Sequence, residues 1–213
     1  ATFLAPFILT LNLVSCPIDW VETPPDSFNY VPYCISQAIY FNECSAVDLS
    51  GNSIFVEYTN ATASADTIYI VNVDGCDDAV IEGNNINGFG HTYIYGIVVR
   101  GANFTVDRNE INLESDEKYV CGIDIEGEST GIVIENTIYL ESPYVAYGIY
   151  SAWNWAGDSP TVDYLANYIE AESHAVYAMN IYGSEGLIDG NIIIANGDYT
   201  MGICSMMMDD VDL

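Results

Sequence analysis

A chain of 213 residues with 50% apolar content can bury one sizeable domain core, and no stretch has the composition of a disordered linker. Lys and Arg together number 3 against 31 Asp and Glu, a formal net charge of -28. That balance excludes nucleic acid, which needs a basic footprint, and disfavours anionic membrane surfaces; it favours cations, or an acid-tolerant or saline exterior.

Residues 1–14 are apolar and uncharged but broken by Pro6, and they are too short to span a bilayer, so no membrane span is expected. The first residue is Ala1 rather than Met, as expected of a mature chain after signal-peptide removal. Residues 15–33 hold Pro17, Pro24, Pro25 and Pro32. Together, residues 1–33 read as an arm that docks on the remainder of the chain or on a neighbour.

From residue 34 onward the chain repeats. An Asn-x-Ile triplet begins at Asn52, Asn84, Asn109, Asn136, Asn167 and Asn191, at spacings of 32, 25, 27, 31 and 24 residues. A unit of this size cannot bury its own apolar face and must stack on copies of itself. Three residues before each Asn stand Leu49, Ile81, Val106, Val133, Tyr164 and Ile188. Two after it stands Ile, and four after it stand Val56, Gly88, Leu113, Leu140, Ala171 and Ala195. These positions share one parity, so they point to one side of an extended chain. Upstream of each Asn a second strand begins on a small residue, as in Ala38-Ile39, Gly96-Ile97, Gly122-Ile123, Gly148-Ile149, Ala178-Met179 and Gly202-Ile203. Strand, turn, strand, bend at Asn and third strand make one coil. Residues 34–213 are therefore expected to form an all-β, right-handed parallel β-helix of about seven coils of three short strands, ending in an incomplete coil. The six Asn residues form an inward ladder, each amide satisfied from coil to coil.

Other candidate residues follow from this register. Cys44 and Cys76 each lie eight residues before an Asn, in consecutive coils. Equivalent positions stack ~4.8 Å apart, within the Cα separation a disulfide accepts, so a Cys44–Cys76 bridge is expected. Cys16 and Cys34 are candidates to tie down the arm, and Cys121 and Cys204 are candidates for burial as single thiols or for bridges between subunits. Asn60 and Asn103 head sequons for N-glycosylation, Asn60 in a stretch suited to an exposed loop. Glu114, Glu141 and Glu172 form a column five residues after successive ladder Asn residues. Their repulsion is relieved by protonation, by splaying into water, or by a hard cation; Ca²⁺ is the one candidate cofactor. Trp153 and Trp155 sit in a lengthened turn and read as a sugar platform, a subunit contact or rings packed over the coil.

The Gly-Ile…Val-x-x-Asn-x-Ile rung with its Asn ladder resembles the pectate-lyase-like β-helix family across residues 34–213. Polysaccharide lyases of that resemblance use a basic residue and bound Ca²⁺, but Arg100, Arg108 and Lys118 form no column here. The polygalacturonase type implies an Asn-Thr-Asp, Asp-Asp and Gly-His-Gly set on successive coils. Here Asn72-Val73-Asp74 and Asp77-Asp78 fall on one turn, and Thr92 stands where the last Gly belongs. No catalytic residues are assigned, and the chain is expected not to be an enzyme. Acidity, cysteines and a solenoid with open ends are together similar to the sheath and S-layer proteins of archaea, particularly methanogen sheaths. That resemblance implies a secreted, self-assembling structural protein of the cell surface, a homopolymer forming a surface layer, sheath or filament. A polysaccharide-binding or polysaccharide-cleaving β-helix and a calcium-dependent adhesin module are the alternatives, with glycans as partners.

Overall fold

The computed structural model describes residues 2–4, 8–13, 35–58, 67–153 and 157–206. Among them are 19 β-strands and no helix, so no helix is long and apolar enough to cross a membrane. All pairings between the strands are parallel, and the chain is a parallel β-solenoid. One sheet holds the short strands before each bend, in the order β1 (Thr2–Leu4), β4 (Val47–Ser50), β7 (Ala79–Glu82), β10 (Asn103–Asp107), β13 (Thr130–Ile134), β15 (Thr161–Leu165) and β17 (Ile188–Asp189).

After each bend come β2 (Ile8–Leu13), β5 (Ser53–Tyr58), β8 (Asn85–Gly90), β11 (Glu110–Ser115) and β18 (Ile192–Asn196). The third side is built by β3 (Ile35–Asn42), β6 (Thr67–Asp74), β9 (Tyr93–Arg100), β12 (Val120–Glu126) and β19 (Tyr199–Met206). In two turns the second and third sides fuse into the long strands β14 (Thr137–Ala152) and β16 (Tyr168–Tyr182). Between these two the register shifts from Ser142 to Val145. The connection there is short enough for a bulge to absorb it, so the ladder never breaks. Five turns carry the chain from β4 to β17, fewer than the seven expected from the repeat, because strands at both ends belong to partial turns. Within the arm, β1 pairs with β4 and β2 with β5, adding a layer to the first turn.

The shared-parity positions point inward. Leu49, Ile81, Val106, Val133, Ile54, Ile86, Ile111, Ile138 and Ile169 are all fully buried and belong to one continuous core. The ladder Asn residues lie beside that core. Each Asn Nδ2 donates to the Oδ1 of the next Asn, at 3.0 Å from Asn52 to Asn84, 2.9 Å from Asn84 to Asn109 and 3.0 Å from Asn109 to Asn136. The column continues at 3.0 Å from Asn136 to Asn167 and 2.9 Å from Asn167 to Asn191. The same Oδ1 also accepts the backbone N–H of the Asn one turn back, for example Asn109 to Asn136 at 2.9 Å. Every buried amide is thus held by the next coil, which makes the column self-consistent only as a repeat.

The residue before each ladder Asn makes the bend. Gly51, Gly83, Arg108, Glu135, Ala166 and Gly190 all have left-handed backbone, with φ between 50° and 67°. Gly adopts this region freely, whereas a Cβ costs roughly 1 kcal/mol there. At the non-Gly bends the backbone N–H is held by the next turn, Arg108 donating to the Ile134 carbonyl at 3.1 Å, Glu135 to that of Leu165 at 3.0 Å and Ala166 to that of Asp189 at 2.9 Å.

Candidate functional site

The third side turns a corner. In β9 the inward residues Ile94 and Ile97 are three apart, so parity breaks between them. The corner residue is Gly96, Gly122 or Gly148 in successive turns. A Cβ on Gly96 would stand 2.6 Å from the Gly122 carbonyl oxygen, and one on Gly148 only 2.3 Å from that of Ala178. This close backbone approach is what the small residues of the Gly-Ile rung provide.

On either side of the corner, outward side chains stack in columns. One runs Tyr69, Tyr95, Cys121, Tyr147, Tyr177 in strict register. Tyr119 fills the gap left by the small Cys121. Its ring lies 5.8 Å from Tyr95 and 6.1 Å from Tyr147, edge to face with both. Its hydroxyl also shares a hydrogen bond with that of Tyr95. The result is a ladder of five rings, with Tyr69–Tyr95 at 5.0 Å and Tyr147–Tyr177 at 5.3 Å closing its two ends. The second column runs Asn72, Val98, Asp124, Tyr150, Asn180 and the third Asp74, Arg100, Glu126, Ala152, Tyr182.

These columns enclose a trough of about 860 Å³, lined by Glu126, Tyr147, Tyr150, Trp153, Asn180 and Tyr182. Trp153 is 47% exposed at its rim. Through Glu126 the trough adjoins a smaller hollow of about 300 Å³ that Asp74, Arg100, Glu128 and Asp158 also line. Arg100 donates from Nε to Glu126 at 2.8 Å and from a terminal nitrogen to Asn72 Oδ1 at 3.2 Å, and it lies 5.1 Å from the centre of the Tyr69 ring.

Asp124 is 3% exposed although it points to the outer side of the sheet. Its Oδ1 has no hydrogen-bond partner among the described residues, and neither does Oδ1 of Asn180, two turns along the same column. Burial, reinforced by Glu126 and opposed by Arg100, pushes the Asp124 carboxyl up to about 7. Burial likewise pushes Tyr119 up to about 12, and Tyr95 higher still. The trough therefore combines flat aromatic faces with the polar side chains of Glu126 and Asn180, while Asp124 is buried in the adjoining column and is not part of the trough's lining. No sequence motif marks Asp124. The signal is an acid in a column otherwise occupied by Asn, Val and Tyr, next to the Arg100–Glu126 pair in neighbouring turns.

The other expected residues are distributed differently. Glu114, Glu141 and Glu172 do stack in register, and all three are exposed along a groove of about 550 Å³. No cluster of three or more metal-ligating side chains occurs among the described residues. Cys44 and Cys76 sit at equivalent positions, and the Cys44 N–H donates to the Cys76 sulfur at 3.4 Å. The expected bridge is nevertheless not formed: both are free thiols. Each sulfur turns to the carbonyl two residues behind it, Cys44 to Asn42 at 3.6 Å and Cys76 to Asp74 at 3.5 Å. Cys121 is 1% exposed, beside Tyr119, with its sulfur turned to the Ile123 carbonyl. Cys204 is a half-buried free thiol on β19. Asn103 is exposed on β10, its Nδ2 donating to the Asp77 carbonyl at 3.0 Å. Cys16, Cys34, Asn60 and Trp155 lie outside the described residues.

The polygalacturonase-like set does not converge. Asn72 is bound to Arg100, while His91 pairs with Asp116 at 2.5 Å on the far side of β9. Comparison with family models, with curated proteins and with solved structures gave no match. The functional reading accordingly rests on geometry.

Proposed function

We propose that this chain is a carbohydrate-binding β-solenoid of the cell exterior, which holds a glycan along the trough between the tyrosine ladder and Trp153. The observation that carries the reading is a trough walled by Tyr147, Tyr150, Tyr182 and Trp153 whose lining also holds the polar side chains of Glu126 and Asn180. Sugar rings present apolar C–H faces that stack on Tyr and Trp, and hydroxyl donors around their edges that suit such acceptors. Display on the exterior accords with the sequons and with the strongly acidic surface, which resists aggregation.

Binding, as opposed to cleavage, fits the carboxyl groups better. Glu126 is the one carboxylate in the trough's lining among the described residues, and Asp124, two residues before it on β12, is buried. Glycosidases place their two carboxyls on opposite flanks of the scissile bond. Calorimetric titration with a panel of oligosaccharides tests the reading. Trp153→Ala is expected to weaken binding of the best ligand about tenfold, the worth of one stacked ring; a panel with no ligand refutes it.

Self-assembly is a second reading, favoured by a different feature. Ile192, Ile194, Tyr199, Met201 and Ile203 are each 44–67% exposed on β18 and β19. A row of this kind suits contact with another subunit. Electron microscopy with and without reductant tests it: hoops, tubes or lattices support assembly, and dispersed monomers in both conditions remove it.

A further inference from the structure

We propose that Cys44 and Cys76 together form a two-sulfur site for a soft, two-coordinate cation of the Cu(I) class, which clips two adjacent turns of the solenoid at the corner between its third and first sides. Neither residue lines the trough, so the proposal stands apart from the carbohydrate reading.

The first ground is position. Cys44 lies between β3 and β4, and Cys76 between β6 and β7. The pairing holds on both flanks, with Asn42 opposite Asp74 and Val47 opposite Ala79. Between those flanks the Glu43 N–H donates to the Asp74 carbonyl and the Asp77 N–H to that of Cys44, each at 2.9 Å, so the two turns stay paired through the cysteines. The Cys76 sulfur accepts the Cys44 N–H at 3.4 Å, and the two thiols are close enough to interact directly. They are not bonded to each other. A metal–thiolate bond is about 2.3 Å long, so one ion between two sulfurs spans up to ~4.6 Å. Stacked turns supply that span, since equivalent positions repeat at ~4.8 Å.

The second ground is the donor set. The pair belongs to no group of three or more metal-ligating side chains among the described residues. Ca²⁺ takes about six to eight oxygens and structural Zn²⁺ about four ligands, whereas soft thiolates select Cu(I), which two sulfurs in line can hold. The third ground is access and cover. Cys76 is part of the hydrophobic core, and Cys44, half-buried, packs against it. An ion therefore enters past Cys44 and is shielded from water on the Cys76 side, in surroundings that suit a weakly hydrated cation. Proton release balances the binding: both thiols lose their protons to solvent, two Cu–S bonds form, and the site passes from neutral to a single negative charge. Neither copper nor sulfur changes oxidation state. The Cys44 N–H, aimed at the Cys76 sulfur, favours the thiolate.

The test is an anaerobic titration of the full, reduced chain with Cu(I) against a chromogenic Cu(I) chelator. Affinity is expected to fall more than about 100-fold in Cys44→Ser and in Cys76→Ser, beyond the ~10–100-fold that loss of an outer-shell partner costs. Cys16→Ser, Cys34→Ser and Cys204→Ser should leave it unchanged, with the melting temperature of each copper-free variant as the control for folding. X-ray absorption at the copper edge of the native chain needs no variant and should show two sulfur neighbours. Iodoacetamide should label Cys44 in the free chain but not in the Cu(I)-loaded one, and Zn²⁺ should give no such protection. A third sulfur, or nitrogen or oxygen ligands, at the copper edge overturns the proposal. So does affinity that survives Cys44→Ser or Cys76→Ser, or equal protection of Cys44 by Zn²⁺. A Cys44–Cys76 disulfide that persists under reductant overturns it as well.

Discussion

Replacing Asn136 by Ala cuts the ladder at its middle. Asn136 is fully buried. Its Nδ2 donates to Val106 O at 2.8 Å, Ile134 O at 3.0 Å and Asn167 Oδ1 at 3.0 Å. Its Oδ1 accepts the Asn109 N–H at 2.9 Å and the Asn109 Nδ2 at 3.0 Å. After truncation Asn109 Nδ2 keeps Ile81 O, at 2.8 Å, but the Asn109 N–H is left without an acceptor in a dry site. One orphaned buried donor costs about 1–3 kcal/mol, and the lost bonds to Val106 and Asn167 add roughly 1 kcal/mol each. The expected loss is thus about 3–5 kcal/mol by urea unfolding. Asn191→Ala is the internal comparison. Asn191 is half-buried, so water can replace its bonds, and its loss should stay near ~1 kcal/mol. A loss below about 1 kcal/mol for Asn136→Ala, or one no larger than that of Asn191→Ala, would refute the claim that the ladder is a cooperative buried network.

Three further outcomes follow from the geometry. Ala166→Gly relieves a left-handed non-Gly bend at φ 53° and should raise stability by up to about 1 kcal/mol, since the Asn ladder already fixes the backbone there. Gly148→Ala drives a Cβ to 2.3 Å from the Ala178 carbonyl and should destabilise by about 1–3 kcal/mol, whereas Gly202→Ala, with nothing within 4 Å, should be neutral in the same thermal melts. Asp124→Asn alters the pH dependence of stability. Because the native carboxyl is raised to about 7 against roughly 3.9 in the unfolded chain, stability is full below pH ~4, falls as pH rises, and levels off above pH ~7. The whole shift corresponds to about 4 kcal/mol as an upper bound, and the Asn variant should flatten the curve across that window.

The repeat was readable because its punctuation is polar. An Asn in an otherwise apolar frame, at a period of 24 to 32 residues, locates each bend, and parity then assigns the inward face. The left-handed residue before each Asn was less visible, since Gly51, Gly83 and Gly190 alternate with Arg108, Glu135 and Ala166. Fusion of two sides in β14 and β16 depends on connection length, which periodicity does not report. Register placed Cys44 opposite Cys76 but could not give the direction of each sulfur, a matter of rotamer. The trough was hidden for a related reason. Alternation marks Asp124 as outward and therefore wet. It is buried because a tyrosine from a loop, Tyr119, and the side chains of adjacent turns close over it. Such closure depends on contacts between turns, and a linear pattern does not carry them.

The proposed function stands most directly on ligand binding at the trough. Calorimetric titration of the native chain and of Trp153→Ala against an oligosaccharide panel that includes glucosamine and N-acetylglucosamine tetramers addresses it in one experiment. The account predicts saturable binding of at least one oligosaccharide, weakened about tenfold in the variant with an unchanged melting temperature. No saturable binding across the panel, or binding that Trp153→Ala leaves intact, would contradict it.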